Sequence, residues 1–143
     1  MTAVDGQGIN WIKHNAALVV RQSNLLVDFP FGYDEQSVAW LEDFIVRMRR
    51  RNDLFKHNCE KLSAVYGCFL GEAMIARYGG RWHEDDLGDL HVLYEENIRF
   101  FPIAKVRKLI ENGLEGGDSI LSIYNGIPMF IEMLRADRVP PEG

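Results

Sequence analysis

The stretch CEKLSAVYGCFLGEAMIARYGG, residues 59 to 80, constrains the fold more than any other. Phe55, Cys59, Leu62, Tyr66, Phe69 and Ala73 recur at helical spacing. Val65, Cys68 and Ile75 widen that surface until the second half is apolar nearly all round. Such a helix must be surrounded by other elements. The spacing predicts one long central helix, starting at Asn52 or Asp53 and running to about Tyr78. Gly67 and Gly71 fall in its middle, where each costs about 1 kcal/mol against alanine. They predict that another backbone or ring comes close. Charged residues flank the pair too closely for a membrane dimerisation motif. Gly79 or Gly80 supplies a left-handed cap.

The remaining elements arrange themselves about this helix. Ile9, Ile12, Ala16 and Val19 share one face of a helix expected over residues 9–26. DFPFGYDEQ is a loop, punctuated by Pro30 and Gly32. Asp34 caps a second helix with Val38, Leu41, Ile45 and Met48 as its stripe and Phe44 beside it, closed by Arg47, Arg49, Arg50 and Arg51. From Arg81 to Phe101 the period shortens, and RWHED, DLHVLYE and IRFF read as three strands of an antiparallel meander. Leu90, Val92 and Tyr94 alternate on one face, joined by Trp82. Pro102 opens a helix with Ile103, Val106 and Ile110 inward, ended at Asn112-Gly113. Asp118 is expected to cap a last helix, broken near Asn125-Gly126 because Pro128 follows, with a short piece onward to Leu134. The class is α+β: helices packed on a small three-stranded antiparallel meander with a long central helix. Residues 1–8 and 137–143 are expected as tails of a single 9–136 domain.

Composition narrows the function classes. A net charge of -5 argues against a general nucleic-acid binder and suits a basic partner. No apolar run approaches the ~20 residues of a membrane span, and MTAVDGQGIN lacks the regions of a signal peptide. Cys59 and Cys68 lie about 13 Å apart along one helix, too far for a disulfide, so two buried free thiols and a cytoplasmic location are expected.

RWHEDDLGDLH holds two histidines and four carboxylates within residues 81 to 91. If Asp85 lies opposite Asp89, His83 faces His91 across the hairpin, about 5 Å apart at Cβ. Two imidazoles and a carboxylate would suit zinc, but a polar outer hairpin face explains the same residues, and no metal is expected. The calcium-loop spacing fails. The acidic surface is the preferred reading: Glu84, Asp85, Asp86, Asp89, Glu95 and Glu96 give residues 84–96 a charge of -6, with no Lys or Arg. On adjacent turns they would make one directional field. Arg99, Lys105, Arg107 and Lys108 form a basic counterpart, read as the solvated face of the Pro102 helix. ENGLEGGDSI lacks both phosphate-loop spacings and reads as a helix-to-helix turn. Glu72, in the most apolar part of the central helix, calls for a salt-bridge or hydrogen-bond partner rather than a general-base role. No catalytic constellation and no cofactor site emerge.

Taken in order, Gly67, Phe69, Leu70, Gly71 and Glu72, then Gly79, Gly80 and Trp82, then Phe101, Pro102, Lys105 and Val106 make a pattern. Asn112-Gly113 and Asp118-Ser119-Ile120 complete it. Over residues 38–124 this resembles an uncharacterised bacterial family of small α+β domains, like those among polymorphic-toxin immunity proteins. The resemblance implies a non-enzymatic, protein-binding chain that neutralises a cognate toxin, with no catalytic residues to carry over. The expected partner is a toxin with a basic surface, neither nucleic acid nor membrane, met by the carboxylates of 84–96. The rivals are a metal- or small-ligand-binding enzyme using the His83/His91 hairpin, and a structural or regulatory adaptor.

Overall fold

The apolar stretch of residues 59–80 forms the centre of the molecule. A computed structural model describes residues 2–51 and 53–138. In it α4 (Cys59–Tyr78) is buried through Gly67–Gly71 and again at Ala73 and Met74. Helix α1 (Gly6–Asn24) packs along one side of α4, and α5 (Pro102–Asn112) along the other. Helix α2 (Glu35–Arg51) lies against α5 and α6 (Ile120–Arg138), and a short α3 (Asp53–His57) leads into α4. The sheet consists of β1 (Thr2–Ala3), β2 (Arg81–Glu84), β3 (Leu90–Tyr94) and β4 (Ile98–Phe100), antiparallel and in chain order. Trp82, Val92, Tyr94, Ile98 and Phe100 form its core face. The fold is α+β.

The two mid-helix glycines are contact points. A Cβ on Gly67 would lie 2.5 Å from Ile103 Cα, so the α5 backbone runs directly over it. A Cβ on Gly71 would lie 2.2 Å from the Trp82 ring and 3.2 Å from Pro102. Beside it, the Trp82 indole N–H donates to Glu72 Oε2 at 3.2 Å, and Lys13 approaches Oε1 at 3.5 Å. The expected structural partners of Glu72 are therefore an indole and an ammonium. Gly67, Gly71, Glu72, Trp82 and Pro102 thus join α4, β2 and α5 at one node.

Local signals also set the helix ends. Asp34 Oδ1 accepts from Ser37 N–H at 2.9 Å ahead of α2, as a capping residue should. Gly113, at φ +68, closes α5, and a 3-10 turn (Leu114–Gly116) carries ENGLEGGDSI to the next helix. Arg49 does more than oppose the end of its own helix. Its Nε and Nη2 donate to the Ile110 and Glu111 carbonyls, at 2.8 and 2.9 Å, and so cap α5.

Several expectations need correction. The meander gains a fourth strand, because residues expected as a tail pair with β2: Thr2 opposite Glu84 and Ala3 opposite His83. The same segment holds the α1 cap, Asp5 Oδ1 accepting from Gly8 N–H at 2.8 Å, so α1 starts at Gly6 rather than Ile9. The long central helix is interrupted at Asn58, whose φ -99 and ψ 23 depart from helical values. Asn52, its alternative start, lies outside the described residues, as do 139–143 of the expected C-terminal tail. The cap of α6 is Ser119, whose Oγ accepts from Ser122 N–H at 3.1 Å, while Asp118 accepts from Asn112. Glu42 reinforces that cap, accepting from Ser119 Oγ at 2.6 Å and Leu121 N–H at 3.2 Å. Helix α6 also runs unbroken through Pro128. Tyr124 and Ile127, fully buried before the exposed Pro128, each contribute about 1.5–3 kcal/mol of burial. Together they equal or exceed the ~3 kcal/mol that a proline costs inside a helix.

Candidate functional site

The β2–β3 register is the one that sets Asp85 at the turn and His83 opposite His91. Their ring centroids are 6.2 Å apart, and His91 is fully buried, with its ring 5.2 Å from that of Phe101. Arg81 Nε donates to His83 Nε2 at 3.1 Å, which assigns the proton of the neutral ring to Nδ1. That Nδ1 is buried without a hydrogen-bond partner. Burial lowers both imidazole pKa values; Arg81 lowers His83 further, and Arg99 lowers His91 against an opposing Asp89 carbonyl. Among the described residues, no three His, Cys, Asp or Glu side chains are grouped so as to hold a metal ion.

The six acidic residues do not form one surface. Successive turns of a meander lie at opposite ends of the shared strand. With about 3.3 Å per residue, Asp89 and Glu95 are separated by about 20 Å along β3. This exceeds the ~8–10 Å over which salt screens exposed charges, so the two ends act as separate fields. Glu95 is engaged by Arg135 and sits at φ 56 in the β3–β4 turn, with exposed Glu96 beside it.

The other four belong to the β2–β3 tip. Asp85 Oδ1 accepts from Leu87 N–H at 2.9 Å and from Asp89 N–H at 2.8 Å. Backbone bonds from Asp85 N–H to Asp89 O and from Gly88 N–H to Asp85 O, both 3.0 Å, close the turn. The carboxylate of Asp85 is thus directed into its own loop. Glu84 is half-buried on β2, while Asp86 and Asp89 are exposed. Between them stands Leu87, 87% exposed, the most exposed of the large apolar side chains among the described residues. The tip presents an apolar apex with a carboxylate on either side, held in shape by internal hydrogen bonds. Sequence reading passed over Leu87 because a single leucine in an acidic turn carries no periodic signal.

The basic counterpart is on the surface as expected at Arg107 and Lys108, with Lys105 half-buried on α5, whereas Arg99 lies on β4 and not on that helix. Of the cysteines, both free, Cys68 is buried and Cys59 only half-buried, which corrects the expectation of two buried thiols. Burial, then Glu72, pushes the Cys68 thiol up to about 12. A thiol so perturbed is unreactive near neutral pH.

A concavity elsewhere on the molecule has no counterpart in the sequence pattern. Between the end of α1, the middle of α2 and the start of α4 lies a cavity of about 480 Å³, walled mainly by aliphatic and aromatic side chains. Leu25 and Leu26 at its edge are 80% and 65% exposed. No helix among the described residues is long and apolar enough to cross a membrane. Compared with protein-family models, curated proteins and solved structures, the chain matches none.

Proposed function

We propose that this chain is a non-enzymatic protein-binding domain, an immunity protein that neutralises a cognate bacterial toxin by covering its active or binding surface. The docking element is the β2–β3 tip. The observation that carries the proposal is the fixed apex, Leu87 between Asp86 and Asp89, in a loop held by Asp85. A preorganised apolar anchor flanked by two carboxylates suits a partner offering an apolar pocket with a basic rim. Charge complementarity would speed encounter, and the leucine would slow dissociation. A nuclease toxin, whose surface must attract phosphate, has such a rim. The ordered motif resemblance over residues 38–124 supplies the toxin-neutralising part of the reading. Glu95 and Glu96, at the far end of β3, belong to no part of this docking surface.

The test is capture of the partner from the producing bacterium by the tagged chain, followed by expression of the captured protein with and without it. The reading expects a protein that arrests growth when expressed alone and is silenced by stoichiometric co-expression. Leu87→Asp should raise the dissociation rate, whereas Asp86→Lys with Asp89→Lys should lower the association rate and its salt dependence. A captured partner that is harmless alone would end the immunity reading. A toxin still bound with unchanged rates by both variants would leave the function standing and remove the hairpin tip from it.

A further inference from the structure

The cavity between α1, α2 and α4 shares no lining residue with the hairpin tip and has no part in docking through it. Its volume of about 480 Å³ lies within the ~300–1,000 Å³ of small-ligand sites. The lining rings Trp40, Phe44 and Tyr66 are held by one another and by Phe55, which is not itself part of the lining. Trp40 stacks on Phe44 at 5.1 Å, Phe44 meets Phe55 edge-on at 6.4 Å, and Phe55 stacks on Tyr66 at 6.4 Å. Fully buried Leu41 and nearly buried Val19 contribute to the lining, as do Leu18, Leu62 and Val65.

Two chemical features define the occupant. The lining is poor in hydrogen-bonding groups, so whatever is enclosed should have none to satisfy; a buried amide or hydroxyl without a partner costs roughly 1–3 kcal/mol in proteins. An aliphatic chain meets that condition, whereas extended peptide backbone, with an unpaired amide at every residue, does not. The second feature is charge. Among the lining residues Lys61 carries the formal charge, and it is exposed, where an ammonium meets an anion without itself being desolvated. We infer that this cavity binds the hydrocarbon chain of an aliphatic monocarboxylate, with Lys61 pairing with the carboxylate at the mouth. Leu25 and Leu26, otherwise left in water at the end of α1, would close over the chain, each Å² covered contributing about 25 cal/mol.

Dodecanoate, dodecanol and dodecylamine, each kept monomeric, are titrated calorimetrically into the full chain. Nuclear Overhauser contacts from labelled dodecanoate locate the bound chain. The expected result is saturable one-to-one binding of dodecanoate, tighter than dodecylamine, with contacts to the methyl groups of Leu18, Leu62 and Val65. Lys61→Gln, an exposed change, should weaken dodecanoate about fivefold, the upper worth of a surface ion pair, and leave dodecanol unaltered. Val65→Trp, filling the cavity, should abolish binding of both. Absence of saturable binding, contacts elsewhere on the molecule, or a carboxylate preference untouched by Lys61→Gln would overturn the inference. So would a dimer in sedimentation that Val65→Trp dissociates, since the occupant would then be a second copy. Should Val65→Trp fail to fold, the contact map and the Lys61 variant decide the matter.

Discussion

Replacing Gly67 by alanine should destabilise the protein, although alanine is the better helix former by about 1 kcal/mol. The added methyl would meet Ile103 Cα at 2.5 Å and its backbone nitrogen at 2.9 Å, where ordinary contact begins near ~3.5 Å. A backbone cannot rotate aside as a side chain can, so α5 would have to withdraw from α4 by roughly 1 Å. A gap of that size forfeits about a quarter to a half of each contact it opens. It would open under Val106, Leu109 and Ile110, which are fully buried on α5. Overpacking costs about 1–3 kcal/mol, and contact with backbone places Gly67 at the upper end. After the propensity gain, the net loss is about 2 kcal/mol. With a urea m-value of about 2 kcal/mol/M, the midpoint followed by circular dichroism should fall by about 1 M. Gly6→Ala is the control: nothing lies within 4 Å of its Cβ, and it should leave stability unchanged or raise it. Gly71→Ala separates the two kinds of obstruction, because its clash is with the Trp82 ring. Trp82→Leu should make Gly71→Ala less damaging, whereas Ile103→Ala cannot rescue Gly67→Ala, whose clash includes backbone. A Gly67→Ala protein as stable as the original, or more so, would refute the close-approach argument.

Three further outcomes follow from the site geometry. Lowered pKa values at His83 and His91 mean that the unfolded chain binds more protons near pH 6, so stability should decline as pH falls below ~6.5 toward the folded values. His91→Phe should flatten the decline between pH 7 and 5 in urea melts, and an unchanged slope would show that the ring titrates freely. Asp85→Ala, which strips the tip of an acceptor for two N–H groups, should cost about 1–2 kcal/mol, while Asp85→Asn keeps most of it; equal losses would mean that charge, not acceptance, holds the turn. Arg49→Ala should cost about 1–2 kcal/mol by uncapping α5, seen as faster amide exchange in its last turn, and no local change there would discount the cap.

The sequence by itself determined the parts that depend on neighbours three or four positions away in a helix or two in a strand. The central burial of α4 and the stripes of α1, α2 and α5 follow from periodicity. The sequence offered the β2–β3 pairing with His83 opposite His91 only on condition that Asp85 lay opposite Asp89, and the structure fixes that register. The mid-helix glycines foretold contact without naming what would touch them. Tertiary structure decided the rest. Thr2–Ala3 is too short for any period and becomes a strand only because β2 offers an edge. Pro128 reads locally as a helix stop, and burial of Tyr124 and Ile127 overrules it. Six carboxylates clustered in sequence are divided by the length of β3, since chain proximity is not spatial proximity when a strand runs between. The cavity was invisible for the converse reason: its walls come from three different helices, and a void is a shortfall in packing between them, which no local pattern encodes.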